Sequence, residues 1–131
     1  MNINNKSIED LENDYWVDLD FDSYVVKKSQ MARKRPISKL SYEEIRLLIG
    51  QKIGLRYLIP IALSIIEPNP LIEITFFEGD LLSQLFSLSL DDWKDSKEDL
   101  KQFQEIIIKN FSLIESCNEI PKEMIEKYLN Y

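Results

Sequence analysis

The sequence predicts an all-α protein, a bundle of about six to seven helices formed by a single domain over residues 1–131. Apolar side chains recur at three- and four-residue spacing in several segments, which is the periodicity of one helix face. Serine residues suited to helix N-caps precede most of these segments. No repeat, low-complexity tract or flexible linker divides the chain, and its length suits one domain with a hydrophobic core.

Four helices are predicted in the first half of the chain, over about 8–16, 24–34, 42–51 and 55–67. Ser7, Ser23 and Ser41 are placed to cap the first three, and Ser41 begins the capping box Ser-Tyr-Glu-Glu. The fourth helix is apolar almost all round, which is typical of a central buried helix. Gln51, between the third and fourth helices, is expected to be half-buried and hydrogen-bonded to the backbone.

The second half of the chain begins with its only strand-like run, residues 71–77, which is rich in β-branched and aromatic side chains. A lone strand cannot satisfy its own backbone groups, so this run is interpreted as an extended connector. Helices are predicted over about 80–88 and 97–115, and a short terminal helix is predicted after Pro121. Six side chains are expected to be nearly inaccessible to solvent: Leu58, Ala62, Leu63, Leu82, Phe103 and Ile107.

The composition argues against most enzyme classes. The chain has no histidine, which removes the commonest general base and the commonest metal ligand. Its one cysteine, Cys117, permits neither an internal disulfide nor a multi-thiolate metal site, so no metal or other cofactor is expected. The most apolar window, residues 55–66, is too short to span a membrane, and the N-terminus does not resemble a signal peptide. A cytoplasmic protein is therefore expected.

Charge is unevenly distributed along the chain, whose net charge is −7. Residues 1–22 carry seven acids and one base, residues 23–56 carry nine bases and two acids, and the remainder carries fourteen acids and six bases. This acidity argues against a nucleic-acid ligand and favours a basic protein partner, because complementary fields accelerate encounter. The alternative is that the acidity only keeps the protein soluble.

The first candidate partner-binding site is an acidic segment with two aromatic residues. Tyr15 and Trp16 are followed by Asp18, Asp20 and Asp22. Aromatic anchors surrounded by steering charges are a composition expected of a protein interface. In the alternative interpretation Trp16 packs on the bundle and the aspartates are solvated. The aspartates do not form a calcium loop, since the required glycine and glutamate are missing.

Asp91 and Asp92, beside Trp93, form a second acidic candidate site. Favourable interaction of acids with a helix dipole is the preferred explanation of this pair, with partner contact as a secondary role, and Trp93 is expected to be packed. The basic run over 27–39 is interpreted as a solvated helix face that pairs with the acidic N-terminal segment. A nucleic-acid site would require such a run on a net-basic domain with stacking aromatics.

One arrangement of segments resembles a known family. In residues 47–63 two apolar helical runs are joined across a glutamine and two glycines, and a third helix begins at the Gly-Asp within 78–82. This layout resembles the immunity proteins of bacterial contact-dependent growth inhibition systems. The resemblance extends upstream to 11–16 and 45–49 and downstream to Trp93, roughly the first three quarters of the chain.

The resemblance implies a protein that binds the C-terminal domain of a cognate toxin and occludes its active site. Toxins of such systems are frequently nucleases, whose clefts are basic, so an acidic inhibitor suits them. It implies neither catalysis nor a nucleic-acid or membrane ligand, and a monomer is favoured. Two other functions remain open: a small acidic helical adaptor, and an enzyme with a carboxylate-based site. An enzyme should have a concave site with two convergent acids, whereas a binder should present a flat or convex acidic face.

Overall fold

The computed structural model describes residues 3–16 and 23–131, and these residues form an all-α structure. The all-α prediction is confirmed: the described ranges contain no β-strand, only two isolated β-bridges, and three short 3-10 helices accompany the α-helices. The α-helices are α1 (Ile8–Glu12), α2 (Tyr24–Lys34), α3 (Tyr42–Gly50), α4 (Leu55–Ile66), α5 (Asp80–Phe86), α6 (Lys97–Lys109), α7 (Phe111–Glu115) and α8 (Lys122–Leu129).

The predicted serine caps are present at the first three helices. The Ser7 and Ser41 hydroxyls each accept a hydrogen bond from a first-turn backbone N–H, and each forms a complete capping box. The Ser23 hydroxyl accepts from the N–H of Val26, three residues on. These bonds satisfy N–H groups that have no partner within the helix, which is why the three helices begin where the sequence predicts.

The predicted long helix over 97–115 is in fact two helices, α6 and α7, separated at Asn110. The Asn110 side-chain amide donates to the carbonyl of Ile106, at 2.9 Å, so it bonds to the end of α6. Asparagine competes with helical hydrogen bonding in this way, which gives a physical reason for the interruption. α6 therefore ends at Lys109, and a separate short helix carries Ile114 into the core.

The core lies around α4, whose buried face includes Leu58, Ala62 and Leu63. All six side chains predicted to be inaccessible are fully buried. An aromatic cluster fills the space between α5, α6 and α8. Within it the rings of Trp93 and Phe103 stack at 5.2 Å, and the Trp93 indole donates to the Tyr128 hydroxyl, at 2.9 Å. Trp93 is therefore packed, as predicted.

The prediction for Gln51 is wrong, because its side chain is exposed. α3 ends at Gly50, and Gln51 is the residue that follows it in the turn toward α4. Its backbone N–H donates to the carbonyl of Leu47, at 3.1 Å. The buried side chains of Leu48 and Ile49 belong to the preceding helical turn, so Gln51 itself lies beyond the packed interface of the two helices.

Candidate partner-binding surface

The first candidate site follows α1, which ends at Glu12 and is capped by Asn13 in a left-handed conformation. Two local hydrogen bonds hold the aromatic residues there. The Tyr15 hydroxyl donates to the Asp10 carboxylate, at 2.8 Å, and the Trp16 indole donates to the Asp14 carboxylate, at 3.3 Å. The bond from Tyr15 lowers the pKa of the Asp10 carboxyl, with help from Ser7. Both aromatic rings remain substantially exposed.

Arg33 of α2 supports this segment from beneath. Its side chain is only 1% exposed, and its guanidinium carbon lies 3.9 Å from the centroid of the Trp16 ring. The same guanidinium donates to the Glu12 carboxylate, at 3.2 Å, and to the Asp14 carbonyl, at 2.9 Å. These acceptors compensate the buried charge of the guanidinium. The cation–π contact holds one side of the Trp16 ring and leaves the residue 39% exposed.

The predicted pairing of the basic run with the acidic N-terminal segment is confirmed at Arg33. The prediction of a solvated face is wrong there, because Arg33 is buried beneath Trp16 and Glu12.

The remaining acids of this candidate site, Asp18, Asp20 and Asp22, lie outside the described residues. Their part in partner binding stays a prediction. In the sequence the three acids follow Tyr15 and Trp16, whose rings are exposed.

The second candidate site lies in the 3-10 helix Leu90–Trp93. The Asp92 carboxylate accepts from the Ser89 N–H, at 2.8 Å, and lies 3.0 Å from the Lys52 ammonium. Burial would raise the pKa of Asp92, but these partners outweigh it and the pKa is lowered. Asp92 thus joins the 3-10 helix to the α3–α4 turn. The Asp91 side chain, in contrast, is 83% exposed, and its carboxylate lies 4.0 Å from the Lys94 ammonium in a surface ion pair.

Two grooves lie near this site, and both contain acidic side chains. One groove, of about 570 Å³, is lined by Leu90, Trp93 and Leu100, with Asp91 as its one carboxylate. A shallower groove over residues 94–99 holds several acids, and burial raises the pKa of Asp99 there. Those acids are sequence neighbours at the start of α6, where the helix dipole favours negative charge. Among the described residues no cluster of side chains suits a metal ion.

A third surface, which the sequence interpretation missed, is the connector before α5. The prediction of an extended connector is wrong: residues 74–77 form consecutive bends, and an isolated antiparallel bridge between Glu73 and Glu78 closes them into a loop. The buried Asp80 carboxylate accepts three consecutive backbone N–H groups, those of residues 74, 75 and 76, at 2.8 to 2.9 Å. Burial would raise the pKa of Asp80, but these donors and Arg46 outweigh it, and the pKa is lowered.

Phe76 lies in this connector and is 69% exposed, more than any other large hydrophobic side chain described. Arg46 of α3 packs behind it, with its guanidinium carbon 4.7 Å from the ring centroid. Arg46 also donates to the Thr75 hydroxyl, at 3.3 Å, and lies 3.9 Å from the Asp80 carboxylate. The available sequence signal was a Phe-Phe pair just before the Gly-Asp that begins α5, in a run interpreted only as a connector.

Comparison with known families identifies the chain. The family model for CDI (contact-dependent growth inhibition) immunity proteins matches residues 10–103, well over half of the sequence. The protein belongs to the CDI immunity proteins. No curated protein and no solved structure matches it. Membership of this family implies that the protein neutralises a CDI toxin.

All three candidate surfaces of this CDI immunity protein lie in the matched range, including Trp16, Phe76 and Asp91. The exposed apolar side chains of Ile108 and Leu113 lie beyond it. Within the part of the chain that the structure describes, no helix combines the length and the apolar character needed to cross a membrane.

Proposed function

We propose that this CDI immunity protein binds the C-terminal domain of its cognate toxin in a one-to-one complex, in the cytoplasm, and occludes the active site of that domain. The family match over residues 10–103 is the observation that carries the proposal. It favours an inhibitor over the alternatives of a general helical adaptor and a carboxylate-based enzyme.

The distribution of charge supports an acidic binding face and hence a toxin with a basic cleft. Several bases of α2 and its C-terminal end already have acidic partners within the protein. Lys28 lies 3.1 Å from Glu43, and Arg35 lies 3.1 Å from Glu44. Bases that are paired within the protein do not neutralise the other acidic side chains. The electrostatic potential of those acids therefore attracts a basic partner. A nuclease, whose cleft must attract phosphates, is the toxin class that fits best.

Binding is tested with the purified protein and the C-terminal domain of the toxin encoded immediately upstream. We expect the two to co-elute one-to-one from a sizing column at micromolar concentration. Co-expression should rescue cells from that toxin, and an unrelated CDI toxin provides the specificity control. Failure of the purified pair to co-elute would rule out the proposed complex.

Occlusion is tested separately by competition. If the toxin domain degrades nucleic acid and the immunity protein covers its cleft, saturating nucleic acid should slow formation of the complex. A complex that forms equally fast with substrate present, yet still inhibits, would mean that the protein binds outside the active site. Substrate that is degraded at an undiminished rate in the complex would contradict inhibition itself.

A further inference from the structure

Phe76 is an exposed aromatic side chain on a loop that is already fixed. Three backbone N–H groups of the loop donate to Asp80, and Arg46 contacts both the Thr75 hydroxyl and the Phe76 ring. Much of the ordering that binding normally costs has therefore been completed in the free protein. A preorganised aromatic ring is the kind of side chain that dominates the energy of protein interfaces.

The base of the same loop carries uncompensated negative charge. Glu73 and Glu78 lie opposite each other in an isolated antiparallel bridge, and both are exposed. Among the described residues neither carboxylate forms an ion pair. Like charges directly opposite each other on a bridge are unfavourable. A partner that brings a lysine or arginine between them would relieve this repulsion, so the charge of the loop complements a basic surface.

The cation of this protein nearest the ring does not supply that compensation. The Arg46 side chain is 9% exposed and lies 3.9 Å from Asp80, so its charge is engaged in the interior. Arg46 packs on one side of the Phe76 ring and leaves most of it in solvent. The loop therefore presents an apolar ring together with two exposed carboxylates, and Arg46 lies behind the ring.

We infer that Phe76 is an anchor for the toxin domain: it enters an apolar pocket on that domain, and lysine or arginine side chains at the rim of the pocket contact Glu73 and Glu78. This inference rests on the proposed function, since the occupant is the same toxin domain. It adds a contact site some sixty residues along the chain from Trp16, so the interface includes more than the N-terminal acidic segment.

The test compares Phe76→Ala with Ile108→Ala, a control that shortens another highly exposed apolar side chain beyond the family match. Affinity for the purified toxin domain is measured by calorimetry or surface plasmon resonance. We expect Phe76→Ala to raise Kd at least about tenfold, and Ile108→Ala to change it less than about twofold. Circular dichroism should show both variants folded, because neither side chain is buried.

The charge contact is tested with the double variant Glu73→Gln and Glu78→Gln. We expect slower association at low salt and a weaker dependence of the rate on salt. The control is the double variant Glu123→Gln and Glu126→Gln on α8, which removes the same net charge from exposed positions beyond the matched range. If both double variants slow association equally, only net charge matters and the contact at the loop is refuted.

The outcomes separate this inference from the proposed function. If the unmodified protein binds the toxin domain and Phe76→Ala binds it equally well, the anchor is wrong and the proposed function stands. If the unmodified protein does not bind the toxin domain, both the anchor role of Phe76 and the proposed function are wrong. If sedimentation shows a self-associated protein that Phe76→Ala converts to a monomer while toxin affinity is unchanged, the ring meets a second copy of the chain, which also overturns the inference.

Discussion

Individual charged residues with little exposure determine how the two most notable exposed aromatic rings are held. Arg33 contacts Trp16 at 3.9 Å, and Arg46 contacts Phe76 at 4.7 Å. In both places a guanidinium with carboxylate partners supports one side of a ring whose other side meets solvent. Such cation–π contacts fix the orientation of a ring without burying it in the core. The arrangement suits a surface that must be ordered before its partner arrives.

Asp80→Asn should destabilise the protein at neutral pH by roughly 1–3 kcal/mol, because one amide oxygen cannot replace both carboxylate oxygens as acceptors of three N–H groups. The pKa of Asp80 in the folded protein is below its usual 3.8. A lowered folded pKa contributes stability that is present above the unfolded pKa and is lost as the pH falls through the folded one. The difference from the unmodified protein should therefore shrink below about pH 4.

Urea unfolding between pH 7 and pH 3 measures this difference. Asp91→Asn is the matched control, since the Asp91 side chain is exposed, and it should change stability by less than about 0.5 kcal/mol at any pH. A loss for Asp80→Asn that stays constant down to pH 3 would contradict the role of the Asp80 charge.

Phe103→Ala should cost roughly 3–5 kcal/mol of unfolding free energy. The Phe103 ring is fully buried, and its centroid lies 5.2 Å from that of Trp93 and 5.2 Å from that of Tyr128. Removing it leaves a cavity that these large rings cannot easily fill. Urea unfolding is again the measurement, and Ile108→Ala on the exposed side of α6 should cost far less. A small loss for Phe103→Ala would mean that the aromatic cluster contributes little to stability.

At the scale of elements, the α3–α4 turn is where several parts of the structure meet. Lys52, in the turn, binds Asp92 of the 3-10 helix Leu90–Trp93. Gly54, the last residue before α4, has φ +66 and lies directly against Ile8 of α1. The turn thus connects α3 and α4 and forms an ion pair with the 3-10 helix. It also packs against α1, the helix that precedes Tyr15 and Trp16.

Gly54→Ala should destabilise the protein by roughly 1–3 kcal/mol. A Cβ at this position would lie 2.7 Å from Ile8 Cδ1, and the positive φ disfavours any side chain. Gly50→Ala is the matched control: Gly50 is helical, and the atoms nearest its added Cβ, from 3.0 Å, belong to the flexible side chain of Gln84. Thermal unfolding compares the two variants. Equal stability of both would show that α1 shifts without cost.

At the scale of the whole molecule, unequal charge along the chain leads to a prediction about association. Changing Asp18, Asp20 and Asp22 together to Asn removes three charges and keeps side-chain volume. If these acids face the toxin domain, affinity should fall at least about tenfold, association should slow, and its salt dependence should flatten. Stopped-flow or surface plasmon resonance at several salt concentrations provides the measurement.

The matched control changes three acids outside the family match, Glu119, Glu123 and Glu126, to Gln. All three are exposed, so the net charge changes equally without altering the proposed face. Equal slowing in both triple variants would mean that overall charge alone steers association. Unchanged binding of the aspartate variant, with the fold intact by circular dichroism, would place the interface elsewhere.

Much of the fold could be predicted because its signals are local. A serine with a free hydroxyl at Ser7, Ser23 or Ser41 satisfies N–H groups within the next three residues, so the start of a helix is encoded beside it. Helical periodicity also indicated which side chains are buried, Phe103 among them. The interruption at Asn110 was missed because the residues around it all have similar helix propensities. The hydrogen bond from the Asn110 side chain to the Ile106 carbonyl is what ends α6 there.

The sequence by itself determined the all-α class, the helix starts, the core side chains and the resemblance to CDI immunity proteins, because these depend on spacing within a short stretch of chain. Only the tertiary structure decided how the surface is arranged. It placed Asp92 on Lys52 and left Asp91 exposed, and it brought Arg46 behind Phe76, some thirty residues away. Contacts between distant segments leave no pattern in the local sequence. Any of several cations could have contacted Asp92 or Phe76, and the packing of the helices determines that Lys52 and Arg46 do so.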